Sequence, residues 1–577
     1  MDAKHVADIL REIGEILGIK GENPFKTRAY ENAARAIEGL GPGLDDAVQM
    51  GTLTEIPGIG EALAKKITEL VTTGSLKYYE ELRASIPDGL LDMTRIPGMG
   101  PKKIKAVYDK LGISTVGELE YACKENRLAA LDGFGAKTQQ NILAGIEQLK
   151  RHAERHLYST ARAEAERLVA ALESLGPRVV KRLSIAGSLR RRRETIRDID
   201  IVASSKHQEK LMDFFTSLDG VEAVIAKGDT KSSVRLASGI NCDLRVVPDE
   251  QFPYALLYLT GSKEHNIAVR TRAKAKVYKI NEYGLFRGER SIKCDDEAAI
   301  YAKLGLAYIP PELREDMGEI DAAEKGALPT LVEDSDMRGI LHVHTNASDG
   351  VSSLDQLVKA AQQLNAEYLG IADHSESAQY ANGLTPERVK QQHKEIDALN
   401  KKLKGFRVLK GIEADILADG ALDYADSVLK TFDFVVAAVH SRFKMSKDEM
   451  TKRMITAMRN PYVSILAHPT GRLLLSREPY EIDMDEVIAE AARLGVVLEI
   501  NANPHRLDLD WRVCKRAKEQ GCRFAICPDA HRADDLADTA YGVGIARKGW
   551  LEAADIVNTR PADEALVLLK RREPTAK

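Results

Sequence analysis

Seven short apolar runs punctuate the C-terminal part of the chain, and they constrain its fold more than any other feature. They are GILHVH from Gly339, YLGIAD from Tyr368, RVLKGIE from Arg407, FVVAAVH from Phe434, VSILAH from Val463, VVLEIN from Val496 and RFAICPD from Arg523. Helical stretches lie between them, and strands alternating with helices imply βαβ units and a parallel sheet. His342, His344, Asp373 with His374, Glu413, His440, His468 and Asp529 with His531 fall within or just beyond the carboxyl ends of these runs. That is the end at which a parallel barrel gathers its active site. A lone histidine at a strand end is more often structural than a ligand. Here six of the eight histidines in this part obey one rule, with His393 and His505 outside it. Such a set suits zinc, manganese or iron. Within RGILHVHTNASDG, residues 338–350, strand alternation would point His342 and His344 the same way, offering two imidazoles to one ion.

A chain of 577 residues is too long for one core and divides into three or more domains. With 44% hydrophobic and 29% charged residues it is an ordinary globular sequence. The net charge of -4 excludes a globally basic nucleic-acid binder. Basic residues instead cluster locally at Lys181, Arg182 and Arg190 to Arg193, which composition alone reads equally as a solvated face or a contact surface. The six cysteines (Cys123, Cys242, Cys294, Cys514, Cys522 and Cys527) form no CxxC pair, so any metal must be held by histidine and carboxylate. Neither a secretory leader nor an apolar run of about 18 residues is evident, so a cytoplasmic monomer with free thiols and no membrane partner is expected.

Three segments near the N-terminus resemble one another: IPGIGEALAKKI from Ile56, IPGMGPKKIKAV from Ile96 and LDGFGAKTQQNI from Leu131. Each places Gly-x-Gly before a helix-forming stretch. Gly58 and Gly60, and again Gly98 and Gly100, permit a tight turn from which a helix start presents free N–H groups to a phosphate. One copy would read as a plain helical hairpin. Three copies resemble the helix-hairpin-helix motif, a reader of DNA backbone.

The segment KRLSIAGSLRRRRETIRDIDIVASS, residues 181–205, reads as strand, Gly187-Ser188 turn, strand. Asp198 and Asp200 stand at i and i+2 on one strand face, and NCDLRVV supplies a third strand with Asp243. Alternating acids alone are weak, because solvent-facing acids do the same. Three acids brought together need divalent cations, and Mg²⁺ favours carboxylates plus substrate phosphates. Gly-Ser ahead of Asp-x-Asp, with a distal third Asp, matches the nucleotidyltransferase signature. In YALLYLTGSKEHNIAVRTRAKAKVYKINEYGLF, residues 254–286, Tyr258, Thr260-Gly261-Ser262, Asn266, Arg270 and INEYGLF resemble the thumb of family X DNA polymerases, the class that includes DNA polymerase beta.

This resemblance runs to about residue 315. It implies that Asp198 and Asp200 hold two Mg²⁺ or Mn²⁺ ions and that Asp243 serves the catalytic ion and activates the primer 3′-hydroxyl. It assigns Gly187, Ser188, Arg191 and Gly261 to the nucleotide, Tyr258 to the sugar, Asn266 to the minor groove of the nascent pair and Arg270 to the template side. Lys263 stands where the vertebrate relative has an acid, and this added cation is expected to strengthen nucleotide binding. Arg197, just before Asp198, would either add a phosphate contact or point to solvent. Alignment on PGIG places Lys66 where family members carry a Schiff-base lysine for 5′-deoxyribose phosphate removal. A DNA-phosphate contact is the alternative role.

The C-terminal pattern resembles the PHP (polymerase and histidinol phosphatase) family, a distorted seven-stranded barrel. Its ligand set corresponds to His342, His344, Asp349, His374, Glu413, His440, His468, Asp529 and His531. The resemblance implies a trinuclear centre of Zn²⁺ and/or Mn²⁺ with Glu413 as bridge. The expected fold is therefore multidomain α+β and α/β. A helical DNA-binding domain spans 1–80, a fingers-like helix-hairpin-helix domain 81–150, a palm with a mixed sheet 151–248 and a thumb 249–315. A linker follows over 316–335, and a (βα)7 PHP barrel over 336–577. The expected function is gap filling by a family X DNA polymerase in base excision repair, on gapped or primer-template DNA with deoxynucleoside triphosphates. The barrel would act as a 3′-5′ exonuclease, with AP-endonuclease or lyase activity as further expectations. The alternative is a polymerase with a catalytically silent barrel.

Overall fold

The structure is a computed structural model describing residues 3–40, 43–124, 128, 131, 133–153, 155–475 and 477–570. The chain forms two compact units, Met1–Glu154 and Arg155–Lys577.

The first unit is helical, opening with Ala3–Lys20 and Pro24–Leu40 and ending with Ala136–Ala153. Val6, Leu10, Ile13 and Leu17 line one face of the first helix and close a core with Tyr30, Ala34 and Ile37. A second core gathers Met93, Ile104, Val107, Leu119, Phe134 and Ile146, and Ile19 at the end of the first helix belongs to it. The three glycine repeats adopt one turn geometry. The N–H groups of Ile59, Met99 and Phe134 donate to the carbonyls of Ile56, Ile96 and Leu131, at 3.0, 3.0 and 3.1 Å. Gly58, Gly98 and Gly133 have φ of +93°, +85° and +83°, a region in which a side chain is strained. Gly60, Gly100 and Gly135 then each accept the N–H groups of two residues in the helix that follows.

The second unit holds three sheets that bear on the chemistry. A five-stranded mixed sheet runs in the order Arg182–Ile185, Asp198–Ser204, Asn241–Val247, Lys231–Leu236, Val221–Lys227. Its centre is the parallel pair Asp198–Ser204 and Asn241–Val247, while the remaining pairings are antiparallel. The helices Phe252–Thr260 and Lys263–Ala275 and a small antiparallel sheet of Lys279–Asn281, Gly284–Arg287 and Arg290–Ile292 follow. The third sheet has seven parallel strands in sequence order, one for each apolar run. A bridge from Val343 to Ala530 and the bond from His344 N–H to the Ala530 carbonyl, 2.9 Å, bring its first and last strands together. The lower part of the barrel is filled by apolar side chains including Leu341, Leu409, Phe434, Val436 and Ile465. A Cβ at Gly411 would lie 2.3 Å from the Phe434 ring, so the ring's seat requires glycine there.

One expectation changes and one open reading is narrowed. The segment 316–335, read as a linker, is packed: Glu319–Lys325 is helical, and Glu319 is fully buried against His265 at 2.6 Å. Just before it, Arg314 is fully buried and paired with Glu297 at 2.6 Å. Charge and proline read as solvation in sequence, but here the charges find partners inside the protein. Of the two readings open for the arginine run, the pairings favour a contact surface. Arg190 pairs with Glu297 (2.6 Å), Arg191 with Glu315 (3.0 Å), Arg192 with Glu312 (3.5 Å) and Arg193 with Glu315 (3.5 Å). All six cysteines are buried and free. Among the described residues no helix is long and apolar enough to cross a membrane.

Candidate catalytic centres

The first centre is built by strand register. In the parallel pair Asp200 stands opposite Asp243, and Asp198 lies two residues before Asp200. Burial, then the charges of Asp198 and Asp243, push the Asp200 carboxyl up to about 7. Lys231 offsets part of that charge from the neighbouring strand, pairing with Asp243 at 2.7 Å, and Ser233 Oγ donates to Asp243 at 2.5 Å. Gly187 has φ +62°, and a Cβ there would lie 2.1 Å from Asp200 Oδ2, so only glycine allows the Gly187-Ser188 turn to meet the acids.

Arg191 leaves this turn toward the thumb. Its guanidinium donates to the Thr260 carbonyl, and a Cβ at Gly261 would lie 3.0 Å from its Nη1. Lys263 is exposed at the start of the next helix, and Arg197 is also exposed. Tyr258, Asn266 and Arg270 line one cavity with Tyr254, Ile280 and Asn281. The Asn266 amide donates to the Tyr258 carbonyl at 2.7 Å. The nucleotide candidates therefore form two groups, one on the palm turn and one on the thumb, meeting where Arg191 reaches Thr260.

The second centre lies at the carboxyl ends of the barrel strands. Glu413, on the strand Arg407–Asp415, is buried with five imidazoles around it: His374 Nδ1 at 2.9 Å, His468 Nε2 at 3.0 Å, His440 Nε2 at 3.3 Å, His342 Nε2 at 3.4 Å and His344 Nε2 at 3.8 Å. Asp349 reaches His531 Nε2 at 3.3 Å and His374 Nε2 at 3.4 Å. Asp529 Oδ1 lies 3.1 Å from His344 Nε2. Eight of the nine residues fall into three overlapping groups with metal-ligand proximity, and His468 joins them through its contact with Glu413. The route differs from simple strand alternation. The register slips between Ile340 and Val343, His342 has φ +60°, and the strand ends at Val343 before His344. His468 and Asp529 also take positive φ, +27° and +53°, a strain borne where these strands end.

The donor set and its electrostatics fit divalent cations. His342 Nε2 and His344 Nδ1 are buried and make no hydrogen bond, which costs free energy unless something else binds them. Against burial, Glu413 and Asp349 push His374 up to about 11, while burial, then His531 and His374, push His344 down to about 3.

Several supporting residues went unnoticed in the sequence. Glu499 accepts from His342 Nδ1 at 2.5 Å and from the His468 N–H at 2.6 Å, and Asp415 lies 2.6 Å from His440 Nδ1. Asn501 donates to both Glu499 and Asp529 at 3.1 Å. Asp373, by contrast one of the strand-end acids already picked out in the sequence, accepts from the Thr345 and Ser348 hydroxyls and from Gln392. Partners of this kind fix ring tautomer and orientation in metal sites. An acid inside the apolar run VVLEIN was the available signal for Glu499.

In the helical unit Lys66 Nζ donates to Tyr30 Oη at 2.7 Å and sits 3.8 Å from the centre of the Tyr78 ring. Lys65 is exposed.

A three-acid sheet of nucleotidyltransferase type with a thumb, preceded by repeated Gly-x-Gly helical turns and followed by a histidine-rich parallel barrel, defines a polymerase-type protein with a second candidate centre. Comparison with known proteins agrees. Family models match for the helix-hairpin-helix domain (residues 1–76), the SAM-like helix-hairpin-helix tandem (90–148), the DNA polymerase beta thumb (255–315) and the PHP domain (341–503). The chain is 39% identical over 99% of its length to the DNA polymerase/3′-5′ exonuclease PolX of Bacillus subtilis, covering 100% of that protein. The barrel portion is also similar to a probable phosphatase of Thermoanaerobacter sp. (strain X514), 26% identical over 38% of this chain and 89% of that one. A probable phosphatase of Caldanaerobacter subterraneus is 30% identical over 34% of this chain and 76% of its own. The chain belongs to the family X DNA polymerases that carry a C-terminal PHP domain.

Proposed function

We infer that the chain is a DNA-directed DNA polymerase with a 3′-5′ exonuclease, and that it fills short gaps in DNA repair. The observation carrying this is the coexistence of Asp198, Asp200 and Asp243 around the Gly187 turn with a separate nine-residue cluster holding unbonded buried imidazole nitrogens. Asp198, Asp200 and Asp243 would hold Mg²⁺ or Mn²⁺. The nine barrel residues, His342, His344, Asp349, His374, Glu413, His440, His468, Asp529 and His531, would hold Zn²⁺ and/or Mn²⁺. Divalent ions supply both centres with charge neutralisation on phosphoryl oxygens and acidification of the attacking hydroxyl or water.

The chain's own groups do the rest. Gly187 and Ser188 let backbone and hydroxyl approach the triphosphate, and Arg191 and Lys263 place positive charge against it. Asp243, oriented by Ser233, draws the primer 3′-hydroxyl into position. Tyr258 borders the sugar, Asn266 the minor groove and Arg270 the template side. In the barrel Glu499 and Asp415 orient the rings of His342 and His440, and Glu413 is central enough to bridge. Gly58, Gly60, Gly98 and Gly100 shape the turns that would meet backbone phosphates. The Tyr30 phenol and the Tyr78 ring hold the Lys66 ammonium in place, an arrangement in keeping with a phosphate contact.

The test is a one-nucleotide-gapped duplex given Mg²⁺ or Mn²⁺, with parent, Asp200→Ala and His344→Ala run side by side. Extension should vanish only in the first variant and degradation only in the second. Degradation unchanged by His344→Ala would leave the barrel as a silent prop.

A further inference from the structure

Within the second unit, the barrel helix Thr539–Lys548 ends against the polymerase centre's nucleotide turn. Lys548 is fully buried. Its ammonium has three donors, and it meets three acceptors, all outside the barrel. These are Glu315 Oε1 at 2.5 Å, the Arg191 carbonyl at 3.0 Å and the Glu312 carbonyl at 3.3 Å. Glu315 in turn holds the Arg191 guanidinium, which reaches on to the Thr260 carbonyl beside Gly261. A lysine carried by the barrel therefore fixes both the backbone and, through Glu315, the side chain of the residue at which the palm and thumb halves of the nucleotide site meet.

We propose that Lys548 is a positioning residue through which the PHP barrel sets the nucleotide affinity of the polymerase centre. Burying an ammonium is costly unless every donor is satisfied, so the Arg191 turn and the Glu315 carboxylate are held wherever Lys548 is held. The neighbouring Arg547 offers a built-in contrast. It joins the same two parts, pairing with Glu312 at 2.8 Å and donating to the Val332 carbonyl at 2.9 Å, and these bonds do not touch Arg191 or Glu315. Loss of Arg547 weakens the junction, whereas loss of Lys548 also releases the turn.

The proposal rests on the reading of the Gly187–Arg191 turn as the seat of the triphosphate, and the experiment separates the two. Single-nucleotide gap filling is measured on the full-length chain for parent, Lys548→Met, Glu315→Gln, Arg547→Met and Arg191→Ala, with exonuclease activity and thermal stability alongside. Lys548→Met should raise the dNTP KM about tenfold with kcat within about twofold. Glu315→Gln should raise it in the same direction by less, which carries the test if Lys548→Met fails to fold. Arg547→Met should lower thermal stability while leaving the dNTP KM unchanged, and the Lys548 and Glu315 variants should retain exonuclease activity. An unchanged KM in Glu315→Gln and in folded Lys548→Met, with a raised one in Arg191→Ala, overturns the proposal alone. An equal rise in Arg547→Met also overturns it, by reducing Lys548 to a junction contact. No change in any variant overturns the reading of the turn as well.

Discussion

Asp198 is exposed beside Asp200 and Asp243 on an open sheet, whereas Glu413 is buried and ringed by five imidazoles. Both arrangements concentrate negative charge that cations must balance, but the balancing groups differ. The palm supplies one lysine, Lys231, and three acids, leaving much of any ion's surroundings to substrate phosphates. The barrel supplies nine candidate ligands and a further layer of acids behind them, enough to hold ions without substrate. On the proposed reading, the polymerase centre would receive its ions with the nucleotide and the barrel would keep its own.

The sharpest way to break this contrast is to remove one acid from the palm. Asp200→Ala should reduce polymerisation about 10³-fold or more, with exonuclease rates unchanged in the same preparation. A matching fall in exonuclease would mean the centres are not separate.

A third buried acid shows compensation without any metal. Although burial opposes it, Arg314 and Arg190 hold Glu297 down at about 2. Its contribution to stability is complete above the ordinary carboxylate value of 4.5 and is lost as pH falls toward about 2, a change of roughly 3 kcal/mol. Thermal unfolding of Glu297→Gln against parent should show the largest difference at neutral pH and converge near pH 2, with chelator present or absent. A difference that survives at pH 2 would assign the effect to packing.

Glu499→Gln should lower metal affinity or exonuclease rate about 10–100-fold while sparing polymerisation, because Glu499 orients His342 and touches no polymerase group. Smaller still, Lys263→Ala should raise the dNTP KM about fivefold, the worth of one largely solvated charge.

Most of the architecture was legible because it rests on periodicity. Seven apolar runs became seven parallel strands, and three glycine repeats became one turn made three times. The convergence of His342 and His344 was legible, but its route was not: a register slip and a positive φ are set by closure of the whole barrel, which no local pattern encodes. Partners far apart in sequence were the other blind spot. Glu312 meets Arg547, Glu499 meets His342 and Arg191 meets Glu315, so acids with no partner nearby in the sequence find one across the fold. Glu499 and Asp415 stayed hidden for a related reason, since a residue that orients a ligand leaves no spacing signature of its own.

The division between resident and arriving ions is tested most directly by metal analysis of the full-length chain after extensive desalting without chelator. The account predicts that parent and Asp200→Ala retain the same bound transition metal, and that His344→Ala and Glu413→Gln lose most of it. Parent protein that desalts free of metal, or Asp200→Ala that loses metal as His344→Ala does, would contradict it.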